Sequence, residues 1–171
     1  DRIADEIALG KFNAETGQYY DLLETHKFTC LREFEHLASL KTGGLYGAAA
    51  ALGAVLGDEK EDNTDRVRNA GISIGTAFQL MDDLLDWGGD ENLVGKPLRI
   101  DKREGGKTVF DVADPRGVYS RVLKCESEAL ARLDSIDGRS FQGLKAILSE
   151  IDTLFDRVML KGKLEQLKQK V

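Results

Sequence analysis

The fold of this 171-residue chain is indicated most clearly by the stretch GTAFQLMDDLLD at residues 75–86. If the stretch is an α-helix, the rotation of 100° per residue places Asp82, Asp83 and Asp86 within about 60° of Gln79. The polar groups therefore share one stripe along the helix. The opposite face is apolar and is expected to pack against the rest of the protein; it consists of Ile74, Ala77, Met81, Leu84 and Leu85.

The stripe of aspartates has two interpretations, a solvated acidic face or a cation site. Carboxylates in the last turn of a helix are disfavoured by about 0.3–1 kcal/mol each, because the helix dipole is negative there. Asp82 and Asp86 also repel one another across one turn. A hard divalent cation such as Mg²⁺ would favour such a cluster, since it takes carboxylate oxygens together with water and substrate phosphates. Lys41 and Lys96, each by itself a common kind of surface charge, would supply the ammonium groups that a diphosphate also needs.

Composition and periodicity beyond this stretch predict an all-α protein. Only 2 prolines occur, 42% of the residues are hydrophobic, and runs of β-branched or aromatic residues are few, which disfavours a sandwich or barrel. The length fits a single helical domain over residues 1–171. The expected helical segments are 1–24, as one or two helices, 31–56, 63–87, 117–134 and 139–168, with a loop over 88–116.

Several classes of function are disfavoured by the same composition. The net charge of −6 argues against a nucleic-acid partner. Cys30 and Cys125 have no metal-type spacing, and His26 and His36 lack a ligand cluster around them, so a zinc site is not expected. The uncharged stretch of residues 43–57 has 15 residues and is too short to span a bilayer. Two isolated thiols fit a reduced, cytoplasmic setting.

The motif FQLMDDLLD at Phe78–Asp86, with Lys41-Thr42 before it and Gly95-Lys96-Pro97 after it, resembles a known family. It is similar to the second aspartate-rich half of the trans-type isoprenyl diphosphate synthases (polyprenyl synthetases), which include farnesyl and geranylgeranyl diphosphate synthases. The segment GQYYD at Gly17–Asp21 also resembles the family's Gly-Gln-x-x-Asp segment. The resemblance covers roughly residues 1–110. It implies an isoprenoid-synthase-type helical bundle around a central cavity.

The resemblance also implies an activity, the Mg²⁺-dependent condensation of isopentenyl diphosphate with an allylic diphosphate by ionisation, condensation and elimination. The Mg²⁺ ligands it implies are Asp82, Asp83 and Asp86. The residues implied to bind the substrate diphosphate are Lys41 and Lys96. The catalytic residues it implies are Lys41, Thr42 and Gln79. A homodimer, or a pairing with a separate N-terminal half, is the implied assembly.

Two departures from the family pattern leave other functions open. The family's first DDxxD motif lies upstream of the second, and residues 1–81 contain none, so the chain corresponds to the C-terminal part of the fold. We therefore expect the 171-residue chain alone to be inactive. The family's Glu-Gly-Lys-x-Thr is altered at Glu104–Thr108, which leaves Lys107 without an assigned role. The alternatives are a non-catalytic or regulatory subunit of a prenyl diphosphate synthase and, less favoured, a relative of terpene cyclases or squalene synthases.

Overall fold

The computed structural model describes residues 1–23, 28–95, 97–98, 108–136 and 141–169. Every regular element in these ranges is helical, which confirms the all-α expectation. The elements are α1 (Arg2–Leu22), α2 (Leu31–Ala38), a π-helical turn (Ser39–Gly43), α3 (Gly44–Leu56), α4 (Glu61–Gly88), α5 (Glu91–Val94), a 3₁₀ turn (Val109–Asp111), α6 (Pro115–Asp134), α7 (Gln142–Val158) and α8 (Lys161–Lys168). None of the described helices has both the length and the apolar character needed to cross a membrane.

The central helix of the protein is α4, which has α3 packed along one side and α6 along another. Four residues of its predicted apolar face are buried, namely Ile74, Ala77, Met81 and Leu84. Leu85 is only partly buried, whereas Leu80, which lies outside that face, is fully buried. Because neighbours cover α4 on more than one side, its apolar surface is broader than the periodicity predicts.

The helices α1, α3 and α4 meet along a row of glycines that we call the glycine seam. At Gly71, an added Cβ would lie 2.6 Å from the carbonyl oxygen of Tyr46 and 2.9 Å from the Cα of Gly47. At Gly10, it would lie 2.4 Å from the Cβ of Ala48. The backbones of these helices therefore approach one another closely around residues 43–57. The members of the seam are Gly10, Gly17, Gly43, Gly44, Gly47, Gly71 and Gly75.

A second region is packed with large side chains, and we call it the large-residue core. The rings of Tyr119 on α6 and Phe155 on α7 stack at 6.1 Å. Leu80, Leu84 and other side chains of α4 fill the space beside them. The buried members of this core are Phe34, Ala77, Leu80, Met81, Leu84, Val109, Val118, Tyr119, Val122, Cys125, Phe155, Met159 and Leu167.

Two arginines, Arg68 and Arg121, connect α1 and α2 to the rest of the protein through ion pairs. Arg68 on α4 donates from Nε to Glu6 of α1 over 2.8 Å, and a second guanidinium nitrogen bonds the same carboxylate. Arg121 on α6 makes the same two-point contact with Glu35 of α2, with an Nε–O distance of 2.6 Å. Paired hydrogen bonds of this kind fix orientation as well as distance. They therefore hold α1 and α2 in register with the central helices.

Three segments differ from the sequence prediction. Residues 31–56 include a π-helical turn, and the predicted loop over 88–116 contains α5 and a 3₁₀ turn. The single helix predicted over 139–168 is wrong, because the described part of it forms α7 and α8 with a break at Met159–Leu160. At the break the backbone pairs with the end of α4 instead of continuing the helix, through the antiparallel bridge Gly89–Met159.

Candidate functional site

Lys41 and Thr42 lie in the π-helical turn that joins α2 to α3. A π turn widens the helix by one residue, so it reorients the side chains it carries, and such turns are frequent at functional sites. Ser39, at the start of the turn, donates its hydroxyl to the carbonyl oxygen of His36 over 2.7 Å. The turn is thus the local structure that sets the direction of the predicted lysine and threonine.

Thr42 and Gln79, both predicted from sequence, are in direct contact. The hydroxyl Oγ1 of Thr42 donates to Oε1 of Gln79 over 2.8 Å, across the interface between the π turn and α4. The glycine seam permits this contact, because a Cβ on Gly75 would lie 2.9 Å from the Cα of Gly43. The structure therefore brings together two motifs that are 37 residues apart in the sequence.

Lys41 has a carboxylate partner that the sequence analysis did not place in the site. Its Nζ lies 2.5 Å from Oδ2 of Asp21, in the last turn of α1. The signal for this contact was present in the sequence, since Asp21 ends the GQYYD segment noted for its resemblance. Both side chains are a little over one third exposed, so the pair is accessible to a ligand.

The three aspartates lie on the last turns of α4, beyond Gln79, and each is partly buried. Within the described ranges, no group of three or more His, Cys, Asp or Glu side chains is arranged to hold a metal ion by itself. The donor set still fits Mg²⁺, which commonly uses one or two carboxylates and completes its shell with water and substrate phosphates. Asp82, Asp83 and Asp86 are the residues on these turns that would supply oxygen donors to such an ion.

An aromatic pair lies beside Gln79. Phe78 is 38% exposed, and its ring stacks on that of Tyr46 with the centroids 5.9 Å apart. Gly75 leaves room for Tyr46, because a Cβ on Gly75 would lie only 2.9 Å from the Cβ and Cγ of the tyrosine. This surface is apolar and adjoins the Thr42–Gln79 contact, so an apolar part of a ligand could lie against it.

Lys96, the second predicted diphosphate ligand, lies outside the described residues, as does Lys107. The residues before and after Lys96 are described. Gly95 caps α5 in the left-handed conformation, with φ of 75°. Leu98 is buried, and its backbone N–H donates to Oε1 of Glu91 over 3.2 Å.

The carboxyl end of α4, just beyond Asp86, is hydrogen-bonded to the residues that connect α7 and α8. The backbone N–H of Leu160 donates to the carbonyl of Gly88 over 3.1 Å, and that of Asp90 donates to Val158 over 3.0 Å. The ammonium of Lys163 lies 4.1 Å from the ring centroid of Trp87. These contacts anchor the helix end on which the aspartates lie.

Comparison with known proteins places this site in a family context. The family model described as polyprenyl synthetase matches residues 2–114. The chain is 35% identical over 94 residues to the short chain isoprenyl diphosphate synthase of Methanocaldococcus jannaschii, covering 55% of this chain and 29% of that protein. It is 32% identical over 127 residues to the farnesyl diphosphate synthase of Bacillus subtilis, covering 73% and 40%. The chain thus spans less than half the length of these relatives.

Solved structures show the same fold over most of the chain. A geranylgeranyl pyrophosphate synthetase from the archaeon Geoglobus acetivorans superposes with a TM-score of 0.72 and 25% identity, over 91% of this chain and 57% of that one. The geranylgeranyl pyrophosphate synthase of Corynebacterium glutamicum, complexed with isoprenyl diphosphate and magnesium, gives a TM-score of 0.72 at 24% identity, over 91% and 54%. Unlike the family match, these superpositions extend beyond residue 114, so they relate the fold of the C-terminal helices as well.

Proposed function

The chain belongs to the polyprenyl synthetase family, and from this membership we propose that it is the diphosphate-binding part of a prenyltransferase. The reaction would be the condensation of isopentenyl diphosphate with an allylic diphosphate. The allylic carbon–oxygen bond breaks, the isopentenyl double bond attacks the allylic carbon, and a proton is lost to the departing diphosphate. The product is a longer prenyl diphosphate.

The observation that carries this proposal is the hydrogen bond from Thr42 to Gln79. It joins the Lys41-Thr42 motif to the FQLMDDLLD motif of α4, which supports assigning the ammonium group and the carboxylates to one site. An ammonium group on one side and carboxylates for a cation on the other are what a diphosphate ligand requires. A helix bundle that needed these residues only for stability would not gain from three aspartates at the negative end of a helix.

The side chains would divide the work according to their chemistry. Lys41 would bind the allylic diphosphate through its ammonium, with Lys96 as a second ammonium from the loop after α5. Thr42 and Gln79 would direct their dipoles toward the positive charge that develops on the allylic carbon. Asp82 would be the principal ligand of Mg²⁺, supported by Asp83 and Asp86.

Mg²⁺, when bound, would supply positive charge to the diphosphate as it leaves. The structure of the C. glutamicum protein, which shares the fold, contains magnesium together with isoprenyl diphosphate. Open carboxylate sites of this kind bind the ion and the phosphate together. We accordingly expect Mg²⁺ affinity to be weak without diphosphate and stronger with it.

The proposal also covers the oligomeric state of the protein and its location in the cell. Large apolar side chains are exposed on α1 and α3, with Phe12 66% and Leu56 74% accessible. Contiguous exposed apolar surface is a common mark of a protein interface. A homodimer, or a pairing with a polypeptide that carries the family's first aspartate motif, would cover it. A reducing, cytoplasmic setting agrees with the free thiols of Cys30 and Cys125.

The test is calorimetric titration of the 171-residue chain with inorganic diphosphate in the presence and absence of Mg²⁺. Asp82→Ala should abolish Mg²⁺-dependent binding, and Asp86→Ala should weaken it less. Asp62→Ala is the matched control, since Asp62 is an exposed aspartate at the opposite end of the same helix. Binding by Asp82→Ala that equals the native affinity would contradict the ligand assignment.

A second measurement addresses turnover and separates the enzyme from a non-catalytic subunit. Incorporation of labelled isopentenyl diphosphate onto geranyl or farnesyl diphosphate is followed with Mg²⁺. The chain is assayed alone and after coexpression with a polypeptide that carries the first aspartate-rich motif. Activity that requires the partner and is lost in Asp82→Ala supports a catalytic role. Activity of the pair that survives Asp82→Ala would assign the catalysis to the partner.

A further inference from the structure

Lys41, which belongs to the candidate site, forms an ion pair with Asp21. The two charged atoms, Nζ and Oδ2, are 2.5 Å apart. Among the described residues, Asp21 is the one carboxylate recorded in an ion pair with Lys41. The ammonium proposed to bind diphosphate is therefore paired with a carboxylate of the same chain.

The glycine one helical turn before Asp21 fixes this pairing. A Cβ on Gly17 would lie 2.4 Å from the backbone nitrogen of Lys41 and 2.6 Å from its Cα, so α1 lies directly on the backbone of the π turn. Residues four apart on a helix share a face, and Asp21 is therefore presented on the side that meets Lys41. The geometry of the pair is set by a backbone contact rather than by two freely moving side chains.

The position of Asp21 on its helix indicates that the pair has a purpose beyond stability. Asp21 lies at the carboxyl end of α1, where the last turn contains no basic residue. A carboxylate there is disfavoured by the helix dipole. An asparagine would fill the same space without that cost, and a carboxylate in this place also reduces the attraction of Lys41 for anions.

We propose that Asp21 is a positioning residue that makes diphosphate binding depend on a divalent cation. Diphosphate without a metal ion meets the carboxylate of Asp21 together with the ammonium of Lys41, so attraction and repulsion largely offset one another. Diphosphate that arrives with Mg²⁺ has a smaller negative charge and is repelled less. Asp21 thereby selects against metal-free diphosphate, which would otherwise occupy the site unproductively. This inference rests on the proposed function of the site.

The experiment compares the native chain with Asp21→Asn by calorimetric titration with inorganic diphosphate, first in a chelator and then with Mg²⁺. Asparagine keeps the size of the side chain, and its carbonyl can still accept a hydrogen bond from Lys41. We expect the variant to bind metal-free diphosphate about tenfold more tightly, because one repelling charge within a few ångströms of a multiply charged anion has been removed. With Mg²⁺ present the gain should be clearly smaller.

A charge-matched control lies on the same helix. Glu15 of α1 is exposed and pairs with Lys11 over 3.6 Å, so Glu15→Gln changes the net charge equally at a distance from the site. It should leave diphosphate binding unchanged under both conditions. Lys41→Gln removes the attracting charge of the pair and should weaken diphosphate binding under both conditions.

Three results would overturn the inference. They are the lack of tighter metal-free binding by Asp21→Asn, a gain of equal size with and without Mg²⁺, and an equal gain in the Glu15→Gln control. Failure of the proposed function has a different signature, since the native chain would then show no Mg²⁺-dependent binding for Asp82→Ala to abolish. The two failures can therefore be told apart in one set of titrations.

Discussion

The helices pack in two different ways: by close backbone approach in the glycine seam, and through large side chains in the large-residue core. In the seam, α3 lies so close to α4 that the space for a Cβ on Gly71 or Gly75 is already filled by the neighbouring chain. In the core, α6 and α7 are kept farther apart by rings and long aliphatic side chains, such as those of Tyr119 and Phe155. The seam contains Gly43 and Gly75 beside the Thr42–Gln79 contact, so close approach occurs where the candidate site requires it. The core has to exclude water and fill volume.

The largest expected effect comes from removing volume in the large-residue core. Phe155→Ala deletes a ring that is only 3% exposed and that stacks on the ring of Tyr119. We expect a loss of about 3–5 kcal/mol in the free energy of unfolding, measured by urea denaturation, because the cavity cannot fully close. Phe155→Leu should cost clearly less. Leu154→Ala, at a position 54% exposed on the same helix, should change stability by less than about 0.5 kcal/mol.

The next effect comes from adding volume to the glycine seam. In Gly71→Ala the new methyl group would lie 2.6 Å from the carbonyl oxygen of Tyr46, so α3 and α4 must move apart. We expect destabilisation of about 1–3 kcal/mol by urea denaturation, together with weaker Mg²⁺-dependent diphosphate binding, since Thr42 and Gln79 separate. Gly53→Ala on α3, where nothing lies within 4 Å, should stabilise by about 0.5–1 kcal/mol. If both variants changed the free energy of unfolding in the same direction, close packing would not be what distinguishes the glycine seam from an open position.

The smallest effect tests a polar feature beside the large-residue core. Burial, together with a hydrogen bond to Asp152 of α7, raises the pKa of Glu126 on α6 from its ordinary 4.5 to about 8. The folded chain therefore binds more protons than the unfolded chain between these pH values, and stability falls as the pH rises from 4.5 to 8. Glu126→Gln should remove this slope and stabilise the protein by about 1 kcal/mol near the upper end of the window, after allowance for solvent screening.

The pH series is measured as urea denaturation at fixed ionic strength. Glu150→Gln serves as the control, because Glu150 is exposed on the same helix as Asp152. This control should keep the native pH dependence. A slope that persists in Glu126→Gln would show that another group is responsible for it.

How much of this could be predicted from sequence differs between the parts of the molecule. The helical period of residues 75–86 predicted both the stripe of aspartates and the buried position of Ile74 and Leu84, because amphipathicity is encoded locally. The π turn at Ser39–Gly43 could not be predicted, since its composition resembles that of an ordinary helix. Its geometry depends on packing against Gly17, which is distant in the sequence.

The candidate site shows the same division. The contact between Thr42 and Gln79 agrees with the grouping of their motifs in the family, whereas the pairing of Lys41 with Asp21 required the structure. The break at Met159–Leu160 escaped prediction because the backbone there bonds Gly88 and Asp90 across the fold. The nearest glycine, Gly162, lies inside α8 and does not mark the break. Motif residues were thus easier to predict than the contacts that position them.

The bridge between Gly89 and Met159 also has a consequence for the order of folding. Its two residues are 70 positions apart, so it closes a long loop and is expected to form late, after contacts that are local in sequence. During synthesis the end of α4 cannot be fixed until α8 has left the ribosome, because the contacts of Leu160 with Gly88 and of Lys163 with Trp87 join residues that are distant in the sequence. The aspartates on that end reach their final positions only when the C-terminal helices dock. The proposed binding of a metal-bound diphosphate would therefore depend on the docking of α7 and α8.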